Sequence, residues 1–192
     1  MKLTILALAT ALTSVTGMQA APITYVANLN GANENPVNAS GGTGSAVVTI
    51  DLTAHTLQVF VAFSGLTGLT TAAHIHCCVA APGNVGVATQ TPTFGGFPGG
   101  VTSGVYSNTF DTTLVSSFNA AFVTANGGTA AGAEAALASG LAAGTAYLNI
   151  HTQAFPGGEI RGFLTLAPEP GTFVLAGFAL AGLVIRRRRS AL

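Results

Sequence analysis

The residue types able to do chemistry gather in two short segments. Ala73-His74-Ile75-His76-Cys77-Cys78 sets two imidazoles two positions apart, followed by both cysteines of the chain. Side chains on a strand alternate between faces, so His74, His76 and Cys78 point one way and Ile75 and Cys77 the other. A borderline-soft ion such as zinc or copper accepts imidazole and thiolate ligands, and a His-x-His strand supplies half of such a site. Asn149-Ile150-His151-Thr152 adds a third histidine, and Glu159-Ile160-Arg161 adds a carboxylate and a cation. If the strands bearing these residues are neighbours, His74, His76 and His151 converge on one metal ion. The opposing reading needs no ion: the three histidines hydrogen-bond to Glu159, Asn149 or Thr152 in a buried polar network that fixes strand register.

The adjacent cysteines leave three readings open: a vicinal disulfide, two free thiols, or Cys78 as a metal ligand. Neighbouring Cα atoms are only ~3.8 Å apart, below the usual disulfide separation, so a Cys77–Cys78 bridge forces a local turn and ends the strand. Closing almost no loop, it adds little stability through the unfolded state. Further on, Pro156-Gly157-Gly158 supplies a tight turn, after which Ile160, Gly162 and Leu164 alternate with Glu159, Arg161 and Phe163. That pattern puts Glu159 and Arg161 on one face and predicts a mutually satisfied His151, Glu159 and Arg161 cluster. A functional alternative makes Arg161 a contact for an anion or a sugar carboxylate. His55 sits in an expected turn and reads as solvated.

Strands must position these groups. Runs rich in Val, Ile, Thr and aromatics, bounded by Gly, Asn and Pro, place strands near 23–29, 44–52, 56–63, 72–78, 101–110, 146–151 and 159–166. Asp51 to His55 forms a hairpin connection. The early strands follow one another too closely for helical crossovers, which excludes parallel βαβ units. Two helical patterns interrupt the strands: Asp111 as a cap before Leu114, Phe118 and Phe122, then Ala133, Leu137 and Leu141 before Gly144. The segment from Phe94 to Gly100 is glycine-rich and reads as a surface loop. The fold class is therefore mainly β, an antiparallel sandwich or barrel with a short helical insertion.

Composition narrows the function. Charged residues form 6% of the 192 residues, against roughly 25% in ordinary soluble domains. Between residues 22 and 167 only Arg161 opposes Glu34, Asp51, Asp111, Glu134 and Glu159. Nothing basic is present there to neutralise phosphates, so nucleic acid is excluded as a partner. There is no Gly-x-Ser-x-Gly, no His-Glu-x-x-His and no phosphate-cradling loop, so the expectation is a protein without enzymatic activity.

Both ends read as addresses. Residues 1–20 run from Lys2 through the apolar stretch Leu3 to Leu12 to small and polar residues near Ala20, the order of a secretory signal peptide that engages the Sec translocon. Residues 21–167 form the domain. Residues 168–192 comprise Pro168-Glu169-Pro170, the apolar run Phe173 to Ile185, and Arg186, Arg187, Arg188 and Arg189. That run spans about 20 Å as a helix, short of the ~30 Å hydrocarbon core, which suits a transient membrane segment better than a permanent anchor. The arginines hold its end on the cytoplasmic side. Tripeptide, transmembrane stretch and basic cluster together resemble the PEP-CTERM sorting signal of Gram-negative bacteria. The resemblance implies passage through the inner membrane, cleavage near the tripeptide by an exosortase, and release to the cell surface or an exopolysaccharide matrix such as a biofilm.

The domain carries a resemblance too. Leu29-Asn30-Gly31-Ala32-Asn33-Glu34-Asn35-Pro36, the Ala73-His74-Ile75-His76 strand, and above all Tyr147-Leu148-Asn149-Ile150-His151-Thr152-Gln153-Ala154-Phe155-Pro156-Gly157-Gly158-Glu159-Ile160-Arg161-Gly162 resemble the CHRD domain, named from chordin and found in secreted bacterial proteins. The resemblance implies an immunoglobulin-like, Greek-key β-sandwich or barrel outside the cell, with His74, His76, Asn149, His151, Glu159 and Arg161 as motif residues and no catalytic role or cofactor. The expected partners are the exosortase and exopolysaccharide or surface proteins. As the alternative, His74-Ile75-His76 is locally similar to a copper-ligand strand of Cu/Zn superoxide dismutase, which would make the protein a metal-dependent redox protein holding zinc or copper.

Overall fold

The structure, a computed structural model, describes residues 21–168. The signal segment 1–20 and the sorting residues Glu169, Pro170 and Arg186 to Arg189 lie outside the described residues. Among the described residues no helix is long and apolar enough to cross a membrane.

Alternation of apolar and polar side chains produces three long strands in succession. β1 (Ile23–Asn30) pairs antiparallel with β2 (Thr43–Asp51) from Ile23↔Ile50 to Asn30↔Thr43, and β2 with β3 (Thr56–Ser64) from Thr43↔Ser64 to Asp51↔Thr56. Tyr25, Leu29, Val48, Ile50, Leu57 and Val61 fall on the inward face and are buried, while the intervening Thr, Ser, Asn and Gln face outward. In the β2–β3 turn the Asp51 carboxylate accepts backbone N–H bonds from Thr53 at 2.8 Å and Ala54 at 2.9 Å, a side-chain mimic of a backbone turn.

β4 (Thr70–Cys77), β5 (Gly104–Asp111), β6 (Ala146–Thr152), β7 (Ile160–Phe163) and β8 (Thr165–Leu166) complete one antiparallel sheet ordered β4-β6-β7-β1-β2-β3-β5, with β8 on β1. Five interstrand spacings separate β3 from β4 in this order, roughly 24 Å in a flat sheet at ~4.8 Å each. The chain crosses from Ser64 to Thr70 in six residue steps, about 20 Å at full extension. The sheet must therefore curl, and it forms a half-barrel around one core. The barrel form of the expected fold is the one realised, as a continuous sheet rather than two stacked ones.

The segment after β4 runs along that strand's free edge. Ala88 N–H donates to the Ile75 carbonyl (2.9 Å) and Phe94 N–H to Ala73 (3.1 Å), while the hydroxyls of Thr89 and Thr93 accept from Ile75 N and Ala73 N, both at 2.9 Å. The edge is thus paired rather than left open. Phe94 and Phe97 turn into the core, stacking near Tyr106 and Phe63. This corrects the reading of Phe94 to Gly100 as a plain surface loop: its glycines let the backbone fold back so that the aromatics fill the barrel.

The helical insertion starts later than Asp111. The Asp111 carboxylate is taken by Thr113, whose N–H and hydroxyl both donate to it (2.9 and 2.6 Å), and Leu114 is exposed. α1 (Ala120–Ala125) is capped by Asn119 and α2 (Ala130–Ala142) by Thr129. Along α2, Ala133, Leu137 and Leu141 join the core. His55 is not merely solvated: its Nδ1 lies 2.9 Å from the Glu134 carboxylate of α2.

Glu159, just before β7, ties two loops and the end of β6 together. Its carboxylate accepts from Ser40 Oγ (2.6 Å), Thr67 N (2.5 Å), Gly68 N (3.1 Å) and Thr152 Oγ1 (2.6 Å). Burial alone would raise its pKa, but these four donors outweigh burial and hold it below the ordinary value. A depressed folded pKa contributes stability that is complete above the pKa of an unfolded glutamate, ~4.3, and is lost as pH falls through the lower folded value. Glu159→Gln is expected to cost about 2–3 kcal/mol at pH 7 and to flatten the acid limb of the stability curve below pH ~4, read by urea unfolding. An unchanged acid limb would contradict the assignment.

Candidate functional site

β4 and β6 are adjacent, with His74↔Asn149, His76↔Tyr147 and Ala72↔His151 in register. Cross-strand partners share a face, so His74, His76 and His151 all emerge on the outer face of the sheet, opposite the core-facing Ile75, Leu148 and Ile150. Here that outer face is covered by the loop after β4 and the turn after β6. His74 and His76 are buried and His151 partly so. Their ring centroids lie 5.3 Å (His74–His151), 5.7 Å (His76–His151) and 5.9 Å (His74–His76) apart.

One nitrogen of each ring meets a backbone carbonyl: His74 Nε2 with Pro92 O at 2.6 Å, His76 Nδ1 with Val85 O at 2.8 Å, His151 Nδ1 with Pro156 O at 3.0 Å. A carbonyl only accepts, so each of these nitrogens carries the proton and the other nitrogen of each neutral ring presents a lone pair. Those other atoms, His74 Nδ1, His76 Nε2 and His151 Nε2, are buried and have no hydrogen-bond partner. One ligand nitrogen from each histidine lies within 4.8 Å of the others. A metal ~2.0 Å from each needs separations of about 3.4 Å, which ring shifts of under about 1 Å would supply. The donor set fits a transition metal: neutral imidazoles, oriented by backbone carbonyls on their far side.

The rings stay neutral at pH 7. Burial lowers all three pKa values. It pulls His76 down to about 4, with the Val85 carbonyl opposing the shift and His151, His74 and Arg161 adding to it. The Pro92 and Pro156 carbonyls partly offset the same effect at His74 and His151. Tyr147 braces His76 twice. Its ring stacks on the imidazole at 4.8 Å and 5°, and its hydroxyl exchanges hydrogen bonds of 3.3 Å with Val85 N and O, the carbonyl that His76 also uses.

Other expected partners are placed differently. The histidines do not bond to Glu159, Asn149 or Thr152, and the His151, Glu159 and Arg161 cluster does not form. Glu159 precedes β7 and turns toward the 40 and 67–68 loops, whereas Arg161 lies within the strand on the outer face. Arg161 is 1% exposed. It donates to the carbonyls of Asn33 (2.5 Å), Pro82 (2.8 Å) and Gly83 (3.3 Å) and to Asn84 Oδ1 (2.6 Å), and its guanidinium lies over Tyr147 at 4.7 Å. With four of its N–H donors used and its side chain buried, it fastens two loops to the sheet and is not placed to receive an outside anion. Cys77 and Cys78 are joined in a disulfide whose sulfurs face Gly140 of α2, where a Cβ would overlap Cys77 Sγ and stand 2.5 Å from Cys78 Sγ. Cys77 is buried in the core and Cys78 is exposed, with both sulfurs turned to α2, and Cys78 is not among the ligand atoms of the histidine group.

Glu34 is the residue that sequence reasoning passed over. It is buried 3.7 Å from Arg161 Nε, and its Oε1 and Asn149 Oδ1 are both without partners. Both oxygens approach the spot a Gly158 Cβ would fill, at 2.8 and 2.7 Å, and Gly158 has φ 135°, so only glycine suits that position. Burial raises the Glu34 pKa to about 7 against the pull of Arg161 and Asn149. The only sequence signal was an acidic residue inside the Leu29 to Pro36 segment.

The family model of the CHRD domain matches residues 25–164, and that of the PEP-CTERM protein-sorting motif matches residues 166–189. The chain belongs to the CHRD-domain family. No curated protein and no solved structure matches it. The pairing of a CHRD domain with a C-terminal sorting motif makes this a secreted, exosortase-sorted extracellular protein.

The raised Glu34 pKa has a signed consequence for the CHRD domain. An unfolded glutamate ionises first, so stability falls as pH rises from ~4.3 to about 7 and is level above that. Glu34→Gln removes this dependence. It is expected to improve stability by about 2 kcal/mol more at pH 8 than at pH 5 in urea unfolding, and equal effects at both pH values would contradict the burial of an ionisable Glu34.

Proposed function

We propose that this CHRD-domain protein is an exported, non-enzymatic module that binds one copper or zinc ion through His74, His76 and His151, and that exosortase processing retains it at the surface or in the polysaccharide of a Gram-negative cell. The observation that supports the metal reading is three buried ring nitrogens without a hydrogen-bond partner in the protein, on histidines that each bring one ligand nitrogen within 4.8 Å of the others. Such an arrangement costs desolvation and mutual repulsion and yields nothing until a Lewis acid fills it. The bland alternative, a polar network, would show those nitrogens bonded to side chains.

The exported protein, purified after secretion, is expected to bind one equivalent of copper or zinc by elemental analysis. His74→Ala combined with His76→Ala should abolish binding. Tyr147→Phe, which frees Val85, should weaken it about tenfold, as loss of a supporting group does at other metal sites. A protein that emerges metal-free, and whose unfolding is unchanged by added copper, zinc or chelator, would overturn the reading.

A second reading has one supporting observation: three ligands leave a coordination position open, as catalytic metal sites do. Superoxide consumption by the metal-loaded protein that is lost with the histidines would favour a redox enzyme, and its absence favours the binding module. For the sorting step, replacing Pro168-Glu169-Pro170 with alanines is expected to leave the C-terminal segment uncut and the protein in the membrane fraction. Normal cleavage and release of that variant would contradict processing at the tripeptide.

A further inference from the structure

Resting on the metal-binding reading above, we infer that the three-histidine site selects monovalent copper over divalent zinc. All three donors are neutral, and no cysteine, aspartate or glutamate joins them in the group of facing ligand atoms. The far-side partners are the Pro92, Val85 and Pro156 carbonyls, where many zinc sites place carboxylates behind the imidazole. The charged group that acts on His76 is Arg161 of β7, a cation, held 4.7 Å over the Tyr147 ring that stacks on His76. Glu34, the acid beside Arg161, is the one whose ionisation burial opposes.

Ion desolvation grows with the square of charge. A divalent ion therefore costs about four times as much as a monovalent one to bring into this space, and Arg161 repels it twice as strongly. Among the described residues no anionic side chain joins the three histidines to offset that cost. Copper(I) needs none: it accepts three imidazoles alone, and imidazole is among the donors that suit copper.

The test is an anaerobic competition on the exported protein, using a copper(I)-specific chromophoric chelator in one arm and a zinc-specific one in the other. Copper(I) is expected to bind one-to-one and at least a thousandfold more tightly than zinc, with both lost in His76→Ala. Asn149→Asp, which sets a carboxylate cross-strand from His74 without changing side-chain size, is expected to move the copper(I)/zinc affinity ratio at least tenfold toward zinc. Zinc binding as tight as copper(I) in the wild type would overturn the selectivity while leaving the metal site standing. An Asn149→Asp ratio equal to that of the wild type would overturn the charge argument. Failure of both ions to bind would instead overturn the reading on which the selectivity rests.

Discussion

Three buried imidazole nitrogens without hydrogen-bond partners in the protein, on rings 5.3–5.9 Å apart, set the terms for everything around them. Lone pairs repel, and burial removes the solvent that would otherwise separate them. The rings cannot rotate away, because each is held from behind by a carbonyl of the main chain. The arrangement persists because the cost is distributed over a sheet whose register is fixed on the other face by Ile75, Leu148 and Ile150, all fully buried. A one-residue slip of β4 against β6 would send those apolar groups to the outside and the histidines into the core.

The cover over the outer face is built from groups that resemble a functional site and serve as fasteners. Arg161 draws together the 33 and 82–84 loops. Glu159 does the same for the 40 and 67–68 loops and for Thr152. Each is an interior charge whose hydrogen bonds are nearly complete, which makes removal of a partner costly and chemistry on it unavailable. Gly158 completes the cover by absence, admitting Asn149 and Glu34, while on the other side of the sheet Gly140 lets the Cys77–Cys78 sulfurs lie against α2.

Much of the sheet was legible in the sequence, because period-two alternation with one buried face leaves a plain record in Tyr25 to Leu29, Ala46 to Ile50 and Leu57 to Phe63. The histidine group was legible in part. His74 and His76 follow from alternation, whereas bringing His151 beside them required β4 and β6 to be neighbours, a long-range pairing that no local pattern encodes. The partners of the rings were beyond reach, since Pro92, Val85 and Pro156 act through their carbonyls and any residue carries one. Glu159 is assigned to the wrong neighbour because it lies just outside β7, where the alternation that would set it beside Arg161 no longer applies. Asp111 was read as a helix cap, but Thr113 next to it offered two donors at shorter range. Phe94 and Phe97 were missed because glycine content signals a loop without saying which side of the barrel its aromatics enter.

The central claim is that the convergence of His74, His76 and His151 exists to hold a metal ion. Anomalous diffraction from crystals of the exported protein grown with copper would test it most directly. The account predicts one peak, about 2 Å from His74 Nδ1, His76 Nε2 and His151 Nε2. A water molecule bridging the three rings, with no anomalous signal there at full copper loading of the crystal, would contradict it.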